Sequence, residues 1–196
     1  TPTQWRDRVI GEQTTEDDRL AAEFSHPVWI VRAFRQALAA DGREGDLSEL
    51  LAFDNVAPLV TLAALPGLAV RDELDGADPG KISPVCAISR GGDPSRLSAV
   101  REGRARVQDE GSQLAALALS RARPLVRGER WLDLCAGPGG KAALLAAEAL
   151  AGGATLVANE VSPMRAGLVR NALAVFHDPP QVLEEDGREL GARLAG

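Results

Sequence analysis

The residues best placed to do chemistry lie in Trp131-Leu-Asp-Leu-Cys-Ala-Gly-Pro-Gly-Gly-Lys141. An apolar run there passes straight into a glycine-rich turn, which opens a segment of helical Ala/Leu pattern. Glycines let the backbone turn sharply and approach a ligand closely, and a helix start presents N–H groups without intrahelical partners. That combination suits a nucleoside cofactor. Glu160 closes the next apolar run about 20 residues on, where a carboxylate can accept from both hydroxyls of a ribose. Asp186, near the end of a third run, is in place to reach an adenine amino group.

Two other cofactor sites use similar parts. A dinucleotide turn reads G-x-G-x-x-G, suited to a pyrophosphate, and a P-loop reads G-x-x-x-x-G-K-[ST]. Gly137-Pro138-Gly139-Gly140-Lys141 matches neither spacing, so a nicotinamide dinucleotide is disfavoured. Glycines that merely shaped a strand-to-helix turn would leave the spaced Glu160 and Asp186 unexplained.

Positioning these residues requires alternating elements. Helix over 110–122, strand 131–135, helix 139–150, strand 154–159, helix 163–176 and strand 181–184 follow from the pattern. Strand and helix alternating at this interval imply βαβ units and a parallel sheet. Upstream, strands are expected over 59–65 and 83–89, with turn-rich 75–80 and a loop at 91–94. Residues 1–24 read as helical with an acidic face. Ser25-His26-Pro27 starts a helix, on which Trp29, Ala33 and Ala37, with Ile30, Phe34 and Leu38, fall at helical spacing. Gly42 stops it, and a short helix follows over 47–53.

Composition narrows the class further. The 196 residues are 45% hydrophobic and 26% charged, ordinary for a globular protein. No apolar run reaches membrane-spanning length, and Cys86 and Cys135 are too few for a disulfide framework, so a reducing cytoplasm is the expected compartment. With His26 and His177 isolated, no metal site is expected. The net charge of −6 argues mildly against nucleic acid, yet 81–106 carries six basic residues against Asp93 and Glu102, a local 6 − 2 = +4. That stretch is either a solvated arginine-rich face or an RNA-facing patch.

Asp133-Leu-Cys-Ala-Gly-Pro-Gly-Gly-Lys141 closely resembles the first motif, D-x-C-A-A/G-P-G-G-K, of the Sun/Fmu family of RNA (rRNA) cytosine-5 methyltransferases. Val107-Gln108-Asp109-Glu110-Gly111-Ser112-Gln113 resembles the family's preceding V-Q-D-E-A/G-S-Q, and Ser25-His26-Pro27-Val28-Trp29 its S-x-P-x-W. The resemblance implies an α/β chain: a partial Rossmann-like S-adenosylmethionine-dependent methyltransferase domain over 108–196. A small α/β RNA-binding domain over 45–107 and a helical lead-in over 1–44 would precede it. Cys135, Ala136, Gly137, Pro138, Gly139, Gly140 and Lys141 would line the methionine and ribose end of S-adenosyl-L-methionine. Glu160, where the family more often has Asp, would hold the ribose, and Asp186 the adenine.

The implied activity is methyl transfer to carbon 5 of cytosine in RNA, ribosomal RNA by family, with neither a membrane nor a metal involved. The family's two functional cysteines lie in motifs downstream of the third strand. Cys135 matches a position that is not the nucleophile, and Cys86 reads as a buried apolar residue, so no catalytic residue is expected here. The chain, which lacks an initiator Met, is expected to be an incomplete and inactive part. Strand 131–135 would then keep an open, hydrophobic edge. The competing reading is a non-catalytic cofactor- or RNA-binding module.

Overall fold

The computed structural model describes residues 1–13, 15–74 and 77–194. Two compact units result, 1–58 and 59–196, so the break between units falls after Pro58, whereas the expected lead-in ended at residue 44.

The first unit is helical: α1 (Pro2–Gly11), α2 (Glu16–Glu23), α3 (Val28–Ala40) and α4 (Leu47–Asp54). Thr15 caps α2 by accepting the Asp18 amide, and Glu16, Asp17 and Asp18 complement the positive end of its dipole. Ala21, Val31, Leu47 and Leu51 form its core, with Val28, Phe34 and Leu38 packed against them. The buried stripe of α3 thus runs through Val28 and Val31, and Trp29 faces outward, 68% exposed. His26 bridges the Phe24 carbonyl (2.7 Å) and Asp54 (3.0 Å), pinning the entry of α3 to the end of α4.

The second unit holds two sheets. The first is antiparallel, in the order β2 (Ala77–Pro79), β3 (Cys86–Ser89), β1 (Thr61–Ala64), β4 (Ala105–Val107). Ala77–Pro79, expected as turn, is an edge strand, a position that tolerates Pro79 because one side of the ladder needs no donor. Asp75 and Gly76 lie outside the described residues. Leu62, Ala64, Ala87, Ala99 and Ala105 form the core under this sheet. Neither β4 nor α5 (Ser98–Arg101) was legible as an element, since each is one turn or three residues long.

The second sheet is parallel, in the order β5 (Arg130–Asp133), β6 (Thr155–Asn159), β7 (Gln181–Leu183). Between its strands run α7 (Gly140–Ala151) and α8 (Pro163–Leu173), while α6 (Glu110–Ser120) precedes β5 and α9 (Leu190–Leu194) follows β7. Leu144, Leu156, Ala158, Val169 and Leu173 close a core between helices and sheet. Among the described residues β5 pairs only with β6 and forms an edge of the sheet, with Leu132 40% and Leu134 42% exposed. The fold is a Rossmann-like parallel sheet with helices between its strands, preceded in the sequence by a small antiparallel sheet and lead-in helices.

Candidate cofactor site

The carboxyl ends of β5, β6 and β7 converge, and Asn159 holds them together. Its buried amide donates to the carbonyls of Leu134 (3.1 Å) and Glu185 (3.0 Å), and its oxygen accepts the Glu185 amide (3.1 Å). Outside these strand ends, where ligands bind in open α/β sheets, lies a cleft of about 680 Å³. Leu134, Cys135, Asn159, Glu160, Val161, Arg165, Asp186, Gly187 and Arg188 line it.

Glu160 is 6% exposed and fully engaged on its protein side. One oxygen accepts the Gly137 amide (3.1 Å), the other the Ser162 amide (3.0 Å). A carboxylate oxygen has about two acceptor positions; the oxygen facing Ser162 carries one hydrogen bond, and the oxygen facing Gly137 is also approached by a guanidinium. Arg165, in the first turn of α8, donates to the Gly137 carbonyl (2.6 Å) and sits 3.5 Å from Glu160. The turn after β5 is therefore clamped from both sides.

Glycine is required in that turn. A Cβ on Gly137 would lie 2.3 Å from the Glu160 carboxylate, and one on Gly139 (φ 107°) 2.6 Å from the Ala172 side chain. Gly139 occupies the N-cap of α7 without a side chain to cap it, leaving the first amides of the helix free for a ligand. Beneath the turn, Asp133 accepts only a long bond from the Cys135 amide (3.3 Å), and burial pushes its carboxyl above the ordinary aspartate range.

Of the residues singled out by sequence, Cys135, Glu160 and Asp186 line the cleft. Gly137 ties the turn to Glu160, Ala136 is buried, Pro138 is exposed, and Gly139 is tucked against α8. Gly140 opens α7 against Gln108, and Lys141 donates to Ser112 of α6 (3.0 Å). Asp186 is held by Arg188, whose guanidinium keeps its carboxyl below the usual range. Asn159, Arg165 and Arg188 were missed. Arg165 stands five positions after Glu160 in a helix opened by Pro163, a spacing that turns it back toward the strand end.

The V-Q-D-E-G-S-Q segment joins the two sheets. Asp109 caps α6 through the Ser112 amide (3.1 Å). Glu110 accepts the amides of Ile82 (2.7 Å) and Ser83 (2.8 Å), which hold its carboxyl below the ordinary range. Gln113 pairs with the Ser83 hydroxyl (2.8 Å) and donates to the Gln108 carbonyl (2.9 Å). Cys86 is buried in β3 with its thiol pushed up by desolvation, in keeping with an apolar role. Three of the six basic residues in 81–106 are committed internally. Arg90 pairs with Asp78, Arg104 with Glu73 and Glu102, and half-buried Arg106 donates to the Ala172 carbonyl (3.3 Å).

Among the described residues, no group of three or more His, Cys, Asp or Glu gathers as a metal cage, and no helix is long and apolar enough to cross a membrane.

Parallel strands, a glycine turn and an acidic residue closing the second strand make up the candidate cofactor site of a Rossmann-like fold. Residues 122–196 match the model of the 16S rRNA methyltransferase RsmB/F family. It is 48% identical over 167 residues to two Mycobacterium tuberculosis proteins provisionally named methyltransferases, Rv1407 (strain H37Rv) and MT1451 (strain CDC 1551). That alignment takes in 84% of this chain, which spans 36% of each relative's length. The crystal structure of PH0851 superposes with a TM-score of 0.75 at 21% identity, covering 96% of this chain and 43% of that one. A methyltransferase homolog protein from Pyrococcus horikoshii gives a TM-score of 0.72 at 15% identity, covering 93% and 60%. These two share the fold.

Proposed function

We propose that this chain is the S-adenosylmethionine-binding part of an enzyme that methylates carbon 5 of cytosine in RNA, ribosomal RNA by family, in the cytoplasm. One observation carries the cofactor reading: the Glu160 carboxylate lines the cleft at the end of β6, buried and oriented by the Gly137 and Ser162 amides, beside the glycine turn after β5. Glu160 takes the ribose hydroxyls, Asp186 and Arg188 border the adenine end, and the turn 135–141 with the start of α7 takes the methionine end. The cleft of about 680 Å³ fits a ligand of nucleoside size. When bound, the cofactor supplies an electrophilic methyl group on a sulfonium.

RNA recognition rests on the family match and on Arg96 and Arg101, exposed and without ion pairs among the described residues. Neither cysteine here is assigned as a nucleophile, so the 196 residues alone bind the cofactor without transferring its methyl group. Calorimetric titration with S-adenosylhomocysteine and with NAD tests this reading. Saturable binding of the first and none of the second is expected; binding of NAD alone overturns it. A methylation assay with RNA separates the binding module from a complete enzyme.

A further inference from the structure

Gln108 sits between β4 and the capping residue of α6, and its backbone is held three times. Its amide donates to the Thr61 carbonyl (3.0 Å), and its carbonyl accepts from the Thr61 hydroxyl (2.8 Å) and the Gln113 amide group (2.9 Å). Its side chain is treated in the opposite way. Gln108 is 7% exposed, yet neither the oxygen nor the nitrogen of its carboxamide has a hydrogen-bond partner. Buried side-chain amides are paired in nearly every native protein, and an unpaired one is costly. Two other buried amides nearby, Gln113 and Asn159, are fully used.

The unpaired head lies against the first turn of α7. A Cβ built on Gly140 would stand 3.9 Å from the carboxamide carbon and nitrogen of Gln108, so the glycine has no side chain to interpose. The N-cap of this 12-residue helix offers no capping side chain, and Lys141, its second residue, carries an ammonium that donates to Ser112. A carboxamide offers a donor at one end and an acceptor at the other. Next to free helix amides, it suits a ligand carrying a carboxylate and an ammonium together.

We propose that Gln108 is a further cofactor-binding residue, whose carboxamide hydrogen-bonds the zwitterionic α-amino-acid end of the ligand at the N-terminus of α7. The inference rests on the S-adenosylmethionine reading of the site and adds to it a residue supplied by the segment between β4 and α6. The nitrogen donates to the ligand carboxylate and the oxygen accepts from its ammonium. The three backbone anchors fix the main chain from which the head projects, and burial limits its freedom, an arrangement that reduces the entropy lost on association.

The test uses two ligands and two variants. S-adenosylhomocysteine carries the amino-acid end, and 5′-methylthioadenosine lacks it. In Gln108→Leu and Gln108→Met, affinity for S-adenosylhomocysteine should fall by about tenfold or more, as expected for a lost bond to a charged group. Affinity for 5′-methylthioadenosine should stay within about twofold of wild type. The unliganded variants should melt at or above the wild-type temperature, because an unpaired polar head is replaced by an apolar one of similar shape. Unchanged S-adenosylhomocysteine affinity, or a parallel loss for both ligands, overturns the inference. So does a lower melting temperature in both variants, which would show the head to be partnered without a ligand. If the wild-type chain binds neither ligand, the cofactor reading itself falls and takes this inference with it.

Discussion

Glu160 accepts the Gly137 amide at 3.1 Å, so the carboxylate at the end of β6 and the turn after β5 form one hydrogen-bonded unit. Removing the carboxylate acts on both. Glu160→Ala should weaken S-adenosylhomocysteine binding by about 30-fold or more, the scale of hydrogen bonds to a charged acceptor. The Gly137 and Ser162 amides lose their acceptor as well, at a cost of about 1–3 kcal/mol, and the chain should remain folded. Titration calorimetry with a thermal melt checks both halves. Equal affinity in the variant would mean that the ribose lies elsewhere.

Gly139 combines a left-handed backbone with a crowded site. A Cβ there meets the Ala172 side chain at 2.6 Å and the Val169 backbone at 3.2 Å, neither of which can swing away. Gly139→Ala should therefore destabilise the chain by about 2 kcal/mol or more and displace the start of α7. Gly67 is the internal control. Its φ is also positive (80°), but nothing lies within 4 Å of its Cβ position, so Gly67→Ala should cost only about 1 kcal/mol. Equal shifts in the two melting curves would show that backbone strain alone, and not contact with α8, makes Gly139 necessary.

The parallel sheet and its turn were legible because each element is long enough to show its period and the turn has its own glycine spacing. Glu160 and Asp186 were found by their place after apolar runs. The clamp formed by Arg165 and the tie formed by Asn159 were not, since an arginine on a helix and an asparagine at a strand end look like ordinary surface residues in one dimension. The small sheet was half seen. Its strands β2 and β4 are three residues each, below the length at which alternation can be distinguished from a loop. Pairing across the sheet, between residues such as Ala63 and Arg106, is a long-range fact that no local pattern carries. The arginine stretch 81–106 shows the same limit, because its charge was countable while two of the acids that pair with its arginines, Asp78 and Glu73, lie outside it.

Those pairings divide the arginines into two groups with opposite expected behaviour. Arg106 donates to the Ala172 carbonyl in the last turn of α8, where a cation also complements the helix dipole. Burial draws its pKa downward, yet a guanidinium stays protonated at neutral pH. Arg106→Met should cost about 1–2 kcal/mol of stability and leave RNA affinity unchanged. Arg96→Glu and Arg101→Glu should instead leave the melting temperature in place and weaken RNA binding, each reducing the salt dependence by about one unit of slope. RNA titrations at two salt concentrations, beside thermal melts, separate the groups. Loss of RNA binding in Arg106→Met at full stability would reverse the assignment.

Asp133 provides the pH test. Burial at the end of β5 raises its folded-state pKa above the unfolded value, outweighing the Cys135 amide and the Lys141 charge, which both act downward. Between the unfolded and folded pKa values the folded chain holds the extra proton. Its stability contribution is therefore complete below the unfolded value, about 3.9, and is lost as pH rises through the folded one. At neutral pH the wild-type chain carries an unfavourable buried carboxylate. Asp133→Asn removes that charge and keeps an acceptor for the Cys135 amide, so it should raise the melting temperature at pH 7. The advantage should shrink as pH falls toward the ordinary aspartate range, where Asp133 is itself neutral. If Asp133 also takes the ligand's ammonium, the stabilised variant should bind S-adenosylhomocysteine less tightly. Melting curves from pH 7 down to about pH 4 decide the first point: a stability gap that widened on acidification would show that the carboxylate is held in its ionised form.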